Sequence, residues 1–272
     1  MRGENPLVIR LALIFFLSVL AQGASSEVSA VTNGVAKIKI AVYSGGGALC
    51  DDRSKVPPVF KSILTMPDAF AACISAKQVQ DGILTNFDVA IFPEGTGHGE
   101  ATSLGESGCK QVREFVGHGG KYIGICAGAY LCISEFPWSL KILNAQTLSP
   151  KWERGEGEVT MELTDAGRKI FGDKTGAFPV FYENGPVIKP DGVATLPNYE
   201  VLAYYRSERA EHDSPKGIMI DSPAMVTASY GAGRVIFISP HPEKTKGLEN
   251  FLPKAVSWLS QQTNSALIGK TR

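Results

Sequence analysis

Tyr122-Ile123-Gly124-Ile125-Cys126-Ala127-Gly128-Ala129-Tyr130 is the stretch on which the fold turns. Its apolar start, Tyr122 to Ile125, reads as a buried strand, and Ala127 to Ser134 suits a helix. Glycines two residues before and after a nucleophile mark a strand-turn-helix elbow. The nucleophile at such a turn takes a strained backbone conformation, and the glycines remove side chains that would clash. The pattern predicts that the Cys126 sulfur stands above the C-terminal edge of a sheet. A helix starting behind it adds partial positive charge and favours thiolate. The Ala127 amide then faces the place where an oxyanion forms. Read alone, the pentapeptide also fits a structural cysteine at the end of a core strand.

Working outward, three more short runs are almost continuously apolar: Lys37 to Tyr43, Phe87 to Phe92 and Val235 to Ile238. Such runs are expected when helices cover both faces of a parallel sheet. Between them, Val112, Phe115 and Val116 have helical spacing, and Gly119-Gly120 supplies a stop. Leu248, Phe251, Leu252, Ala255, Val256 and Leu259 form a second helical stripe. Pro253 falls inside it, so the helix is expected to start near Asn250, with the proline in the first turn. Alternating strands and helices predict an α/β three-layer sandwich with a mainly parallel central sheet. Glu158 to Leu163, Ala177 to Tyr182 and Tyr199 to Tyr205 predict a small antiparallel excursion beside it.

The chain has 272 residues, 27 Lys+Arg against 27 Asp+Glu, and 44% hydrophobic residues. That balance fits a globular domain with a large core and excludes a disordered chain. It leaves no basic excess with which to neutralise phosphates, so no nucleic-acid partner is expected. Arg2 and Arg10 precede the apolar run Leu11 to Leu20, and Ala21-Gln22-Gly23-Ala24 follows. These are the marks of a secretory signal peptide over residues 1–23, cleaved after Gly23. The run is about half the ~20 residues a spanning helix needs, which argues against a membrane anchor. The expected product is secreted, with no membrane association after cleavage. A tether over 24–35, a domain over 36–262 and a tail over 263–272 complete the division. The five cysteines, Cys50, Cys73, Cys109, Cys126 and Cys132, leave at least one thiol free. Two disulfides among Cys50, Cys73, Cys109 and Cys132 would account for the rest, in any of three pairings. No N-glycosylation sequon is present.

A second element of chemistry follows the last strand: Ser239-Pro240-His241-Pro242-Glu243. In an extended segment residues i and i+2 share a side, so Glu243 can orient the His241 imidazole. His241 also lies past a strand's C-terminal end, where open α/β sheets form their sites. Ser44-Gly45-Gly46-Gly47 lacks the spacing of a phosphate loop and reads as a tight turn. Gly95-Thr96-Gly97-His98-Gly99-Glu100 reads either as a wall of the site, bringing His98 and Glu100 near Cys126, or as a flexible loop. His98, Glu100 and His212 lack metal-ligand spacing, so neither metal nor cofactor is expected. Tyr182 to Pro186 can lend a side chain to the pocket but reads first as a turn between strands, and Arg206 to Asp213 reads as a solvated segment.

Taken together, these residues resemble the class I glutamine amidotransferase-like superfamily, with its Cys, His, Glu order. Gly124 to Tyr130 is most similar to the N-terminal amidotransferase-like domain of eukaryotic biotin-protein ligases. Val42-Tyr43-Ser44-Gly45, Ile91-Phe92-Pro93-Glu94-Gly95 and His241-Pro242-Glu243 match that domain's landmarks in order. The resemblance implies a flavodoxin-like sandwich, Cys126 as nucleophile, His241 as general base and Glu243 as orienting carboxylate. It implies an oxyanion hole from the Gly95 and Ala127 amides. Tyr130 stands where glutamine amidotransferases usually carry a substrate-holding glutamine, and Glu94 where glycine is usual. With His98, these two are the candidate substrate contacts, and they argue against a glutaminase. The implied function is a thiol hydrolase of an amide, γ-glutamyl or peptide-like bond, with a small-molecule or peptide amide as partner. The alternative is a non-catalytic binding module on the same fold. The oligomeric state is left open.

Overall fold

The four expected core strands form as β1 (Ile38–Tyr43), β3 (Val89–Phe92), β4 (Lys121–Ile125) and β11 (Gly233–Ile238) in a computed structural model that describes residues 38–49 and 57–268. They pair in parallel in the order β1-β3-β4-β11, and β2 (Ala69–Ile74) adds in parallel to the outer side of β1. The anticipated antiparallel segment forms β6 (Glu156–Leu163), β7 (Phe178–Glu183) and β9 (Glu200–Tyr205). It does not stand beside the sheet. A further strand, β10 (Pro223–Tyr230), pairs antiparallel with β11 and passes the pairing on to β9. The result is one nine-stranded sheet, β2-β1-β3-β4-β11-β10-β9-β6-β7, parallel in one half and antiparallel in the other. The small separate pair is β5 (Ala145–Thr147) with β8 (Ile188–Pro190).

Alternation along the strands builds two cores. Ile40, Val42, Ile123, Ile125, Ile236 and Ile238 face α1 (Pro58–Ile63), α5 (Asp165–Phe171) and α6 (Phe251–Ile268). Ala41, Tyr43, Tyr122, Val235 and Phe237 face α2 (Ala76–Gln80), α3 (Gly97–Gly117) and α4 (Ala127–Cys132). Every residue of β3 and β4 is buried, and each large aliphatic or aromatic side chain so placed contributes roughly 1.5–3 kcal/mol. By contrast β6 alternates: Val159, Met161 and Leu163 are buried while the residues between them are not. The outer strands β6 and β7 are thus covered on one face only, whereas β10 is buried on both. Pro179 is tolerated in β7 because β7 is an edge strand.

Pro253 is the third residue of α6, as the stripe required. Of the glycine-rich segment, Gly95 and Thr96 stay in the loop after β3 and the rest is helical. The helix starts at Gly97, and Gly105 (φ 61°, ψ −177°) breaks it into two. The C-terminal ends of β1, β3, β4 and β11 therefore open on one edge, where Ser44, Pro93, Cys126 and Ser239 follow the strands.

The expected disulfides do not form among the described residues. Cys73 is exposed on β2, Cys109 and Cys132 are buried on α3 and α4, and all three are free thiols, as is Cys126. Cys73 sits on the outer strand β2, whereas Cys109 and Cys132 share the core under α3 and α4, and Cys132 donates to the Ala129 carbonyl at 3.2 Å. Cys50, the signal peptide over 1–23 and the tether over 24–35 lie outside the described residues. Among the described residues no helix is long and apolar enough to cross a membrane.

Candidate active site

Cys126 joins β4 to α4 with φ 52° and ψ −96°, a conformation that L residues rarely adopt. Packing forces it. A Cβ on Gly124 would overlap the Gly128 carbonyl, and one on Gly128 would overlap the Phe92 carbonyl of β3. The turn is braced by the Tyr122 hydroxyl, which donates to Gly128 O at 2.8 Å, and by the Cys126 amide, which donates to Ile238 O at 3.0 Å. Two expectations change in detail. The sulfur does not stand clear of the sheet edge: Cys126 is 8% exposed. Moreover α4 is only six residues long, so its dipole adds less positive charge than a full helix.

His241 follows β11 and is wholly buried. Its Nδ1 lies 2.7 Å from Glu243 Oε1, which fixes the ring. Glu243 reaches it from a short 3-10 turn, Pro242–Lys244, rather than from extended chain. The His241 amide donates to Phe181 O at 2.8 Å, and the Thr245 hydroxyl donates to His241 O at 2.7 Å. Burial opposes protonation of the imidazole, but Glu243 and the neighbouring Cys126 sulfur outweigh it and push the pKa up to about 10. His241 Nε2 has no hydrogen-bond partner, because the Cys126 thiol donates to the Glu183 carbonyl at 3.3 Å instead. Thiol and imidazole are neighbours that are not hydrogen-bonded to each other.

The loop after β3 closes the other side. Gly128 N donates to Pro93 O at 3.2 Å, tying that loop to the elbow. Gly95, at φ 145°, packs so closely on the Gly47 carbonyl that a side chain there would overlap it. Among the described residues the Gly95 and Ala127 amides have no backbone acceptor. Glu94 pairs with Lys244, which also reaches Glu183 at 3.1 Å. Burial works against the Lys244 charge, yet these two carboxylates raise its pKa. Glu94, Glu183 and His241 bring potential metal-ligating atoms within 4.8 Å of one another, but the lysine ammonium already bridges the two carboxylates.

Tyr130 donates its hydroxyl to Asn184 O at 3.1 Å, and burial holds the phenol well above its ordinary range. His98 is exposed on the first turn of α3, its ring edge-on to Trp138 at 5.6 Å. Glu100 is wholly buried below the Gly47 turn, with neither carboxylate oxygen partnered. Burial raises its pKa well above the carboxylate range. Lys244 is a site residue that the sequence reading did not identify, and Glu183 lies in the segment it offered as a possible wall of the pocket but preferred as a turn. Lys244 directly follows Glu243, and Glu183 precedes Asn184, whose φ of 51° makes the turn that was expected there. A cavity of about 1140 Å³ lies at the opposite end of the parallel strands, lined by Ile38, Asp88 and Lys121.

Residues 38–151 match the family model described as biotin-protein ligase, N terminal. No curated protein matches the chain in sequence. Among solved structures, a glutamine amidotransferase is 19% identical, with a TM-score of 0.54 over 82% of this chain and 98% of that one. A protein described as part of a GMP synthase from Thermoplasma acidophilum is 11% identical, with a TM-score of 0.52 over 85% and 98%. A β-galactosidase from Rahnella sp. R3 is 13% identical, with a TM-score of 0.51 over 84% of this chain but only 31% of that one. The chain thus spans about a third of the length of the β-galactosidases it matches. At these identities the likeness is one of fold.

Proposed function

We propose, for a chain that carries a biotin-protein ligase N-terminal match on a glutamine amidotransferase-like fold, that it hydrolyses an amide, γ-glutamyl or peptide-like bond through Cys126. The observation that carries the reading is the buried imidazole of His241. It is fixed on one side by Glu243 at 2.7 Å, left unpaired on the other, and set beside a cysteine in a strained turn. A ring whose pKa is raised to about 10 holds its proton at neutral pH, so once the sulfur turns from Glu183 O toward Nε2 the reactive form is a Cys126 thiolate beside the His241 imidazolium. The sulfur attacks the carbonyl carbon, and the oxyanion takes hydrogen bonds from the free Gly95 and Ala127 amides. Collapse breaks the C–N bond, and the imidazolium gives its proton to the leaving nitrogen. Water then loses a proton to His241, attacks the thioester, releases the acid and restores the thiol.

Turnover of an amide and peptide library by the purified chain tests this. Hydrolysis that is abolished in Cys126→Ala supports the reading. Hydrolysis that survives that change, or ligands that bind in wild type and are never cleaved, favours the binding module. One observation speaks for the module: the resting thiol is engaged by a backbone carbonyl rather than by the imidazole.

We also propose that the protein is secreted, on the strength of the Arg2, Arg10 and Leu11 to Leu20 pattern. Expressed in secreting cells, the medium should hold a chain beginning at Ala24. Recovery of the full chain with an intact N-terminus inside the cells would contradict it.

A further inference from the structure

Arg154 precedes β6 and is 2% exposed. Its Nη2 donates to Pro215 O at 3.1 Å and lies 3.6 Å from Glu208 Oε2. Its Nε and Nη1 are buried and have no partner among the described residues. A guanidinium that cannot lose its charge and leaves two donors unmade is costly in a folded core, so the donors point to a group not yet present. The arginine lines a niche bordered by Tyr130, Lys151, Trp152 and Val187, of about 10 Å³, room for about one water or one carboxylate oxygen.

The niche adjoins the candidate nucleophile through a short chain of contacts. Gly155, next to Arg154, exchanges hydrogen bonds with Asn184: Gly155 N to Oδ1 at 2.8 Å and Asn184 N to Gly155 O at 3.1 Å. Asn184 O accepts the Tyr130 hydroxyl, and the preceding carbonyl, Glu183 O, accepts the Cys126 thiol. Tyr130 lies on the helix that follows the nucleophile and is also a wall of the niche.

We propose that Arg154 is a specificity-determining residue of this site, taking a free carboxylate of the amide substrate. The inference rests on the hydrolase reading and names its substrate class: amides that carry a carboxylate a short arm away from the scissile carbonyl. A planar carboxylate can insert one oxygen into a space of this size, whereas the tetrahedral oxygens of a phosphate need more. Lys151 adds a second positive charge at the rim, and half-exposed Trp152 forms an outer wall.

The test uses the full chain and two series of reagents, N-bromoacetyl derivatives of glycine, β-alanine and 4-aminobutyrate and the matching carboxamides. Mass spectrometry follows alkylation of Cys126. At one length the carboxylate should react about tenfold faster than its carboxamide, the worth of one charge-assisted hydrogen bond. In Arg154→Gln that ratio should fall to near one. Equal rates for both series in wild type, which needs no variant to fold, overturn the proposal, as does a preference that survives Arg154→Gln. A second arm is independent of the sulfur: N-acetyl derivatives of the same amino acids are titrated against Trp152 fluorescence, with Trp152→Phe as blank. Saturation by carboxylates alone supports Arg154 even if Cys126 proves inert. The absence of any response, with a niche holding water only, sinks the proposal while leaving the hydrolase reading intact.

Discussion

Cys126 and His241 are held by different means, and both were legible before any fold was known. Each follows an apolar strand, and glycine spacing in one case and a carboxylate two residues on in the other mark the chemistry. Lys244 was not legible, and Glu183 only as part of a turn that could lend a side chain, because their pairing joins segments far apart in sequence. His241 yields a pH prediction. Its pKa near 10 in the fold exceeds its ordinary value of about 6.5, so its charge stabilises the native state fully below about pH 6.5. That contribution is lost as pH rises toward 10. Glu243→Gln removes the strongest upward push, so the loss should set in at lower pH and the melting temperature at about pH 8 should drop relative to wild type. Thermal melts across about pH 6 to 10 check this; coincident profiles would contradict it.

At the scale of elements, the strand-turn-helix unit is specified by packing more than by propensity. Gly128→Ala should destabilise by about 3 kcal/mol, the upper end for overpacking, since the new methyl meets the β3 backbone rather than a mobile side chain. Gly117→Ala, in the last turn of α3 with its nearest neighbour at 3.8 Å on Tyr230, serves as control. It should be neutral or gain about 0.4–1 kcal/mol. Chemical denaturation distinguishes the two, and equal effects would mean that the elbow is not tightly packed. Elements with a clear apolar period, such as α6 with Pro253 in its first turn, were readable. The start of α3 was not, because Gly95 to Glu100 has the composition of a loop, and the part from Gly97 is helical where it packs against the Gly47 turn and α4. Strand β10 escaped for a similar reason: Pro223 to Tyr230 mixes apolar and small polar residues, and its place is set by pairing with β11.

For the whole molecule, the continuous apolar runs announced the parallel half, where helices cover both faces and the strand ends converge on Cys126 and His241. They could not announce that the antiparallel half extends the same sheet, since register between distant strands leaves no local trace. That extension matters for the site: β7 delivers the Glu183 carbonyl to the sulfur and the Phe181 carbonyl to the His241 amide. Of the other described thiols, Cys109 and Cys132 are buried, and burial raises the pKa of both. The most direct measurement is therefore the rate at which iodoacetamide alkylates Cys126 near neutral pH, in wild type and in His241→Ala. The account predicts that Cys126 reacts well ahead of Cys73, Cys109 and Cys132, and that removing the imidazole slows it at least about tenfold, in line with the loss of a positioned base. A Cys126 that reacts no faster than the other thiols, or at the same rate with and without His241, would contradict it.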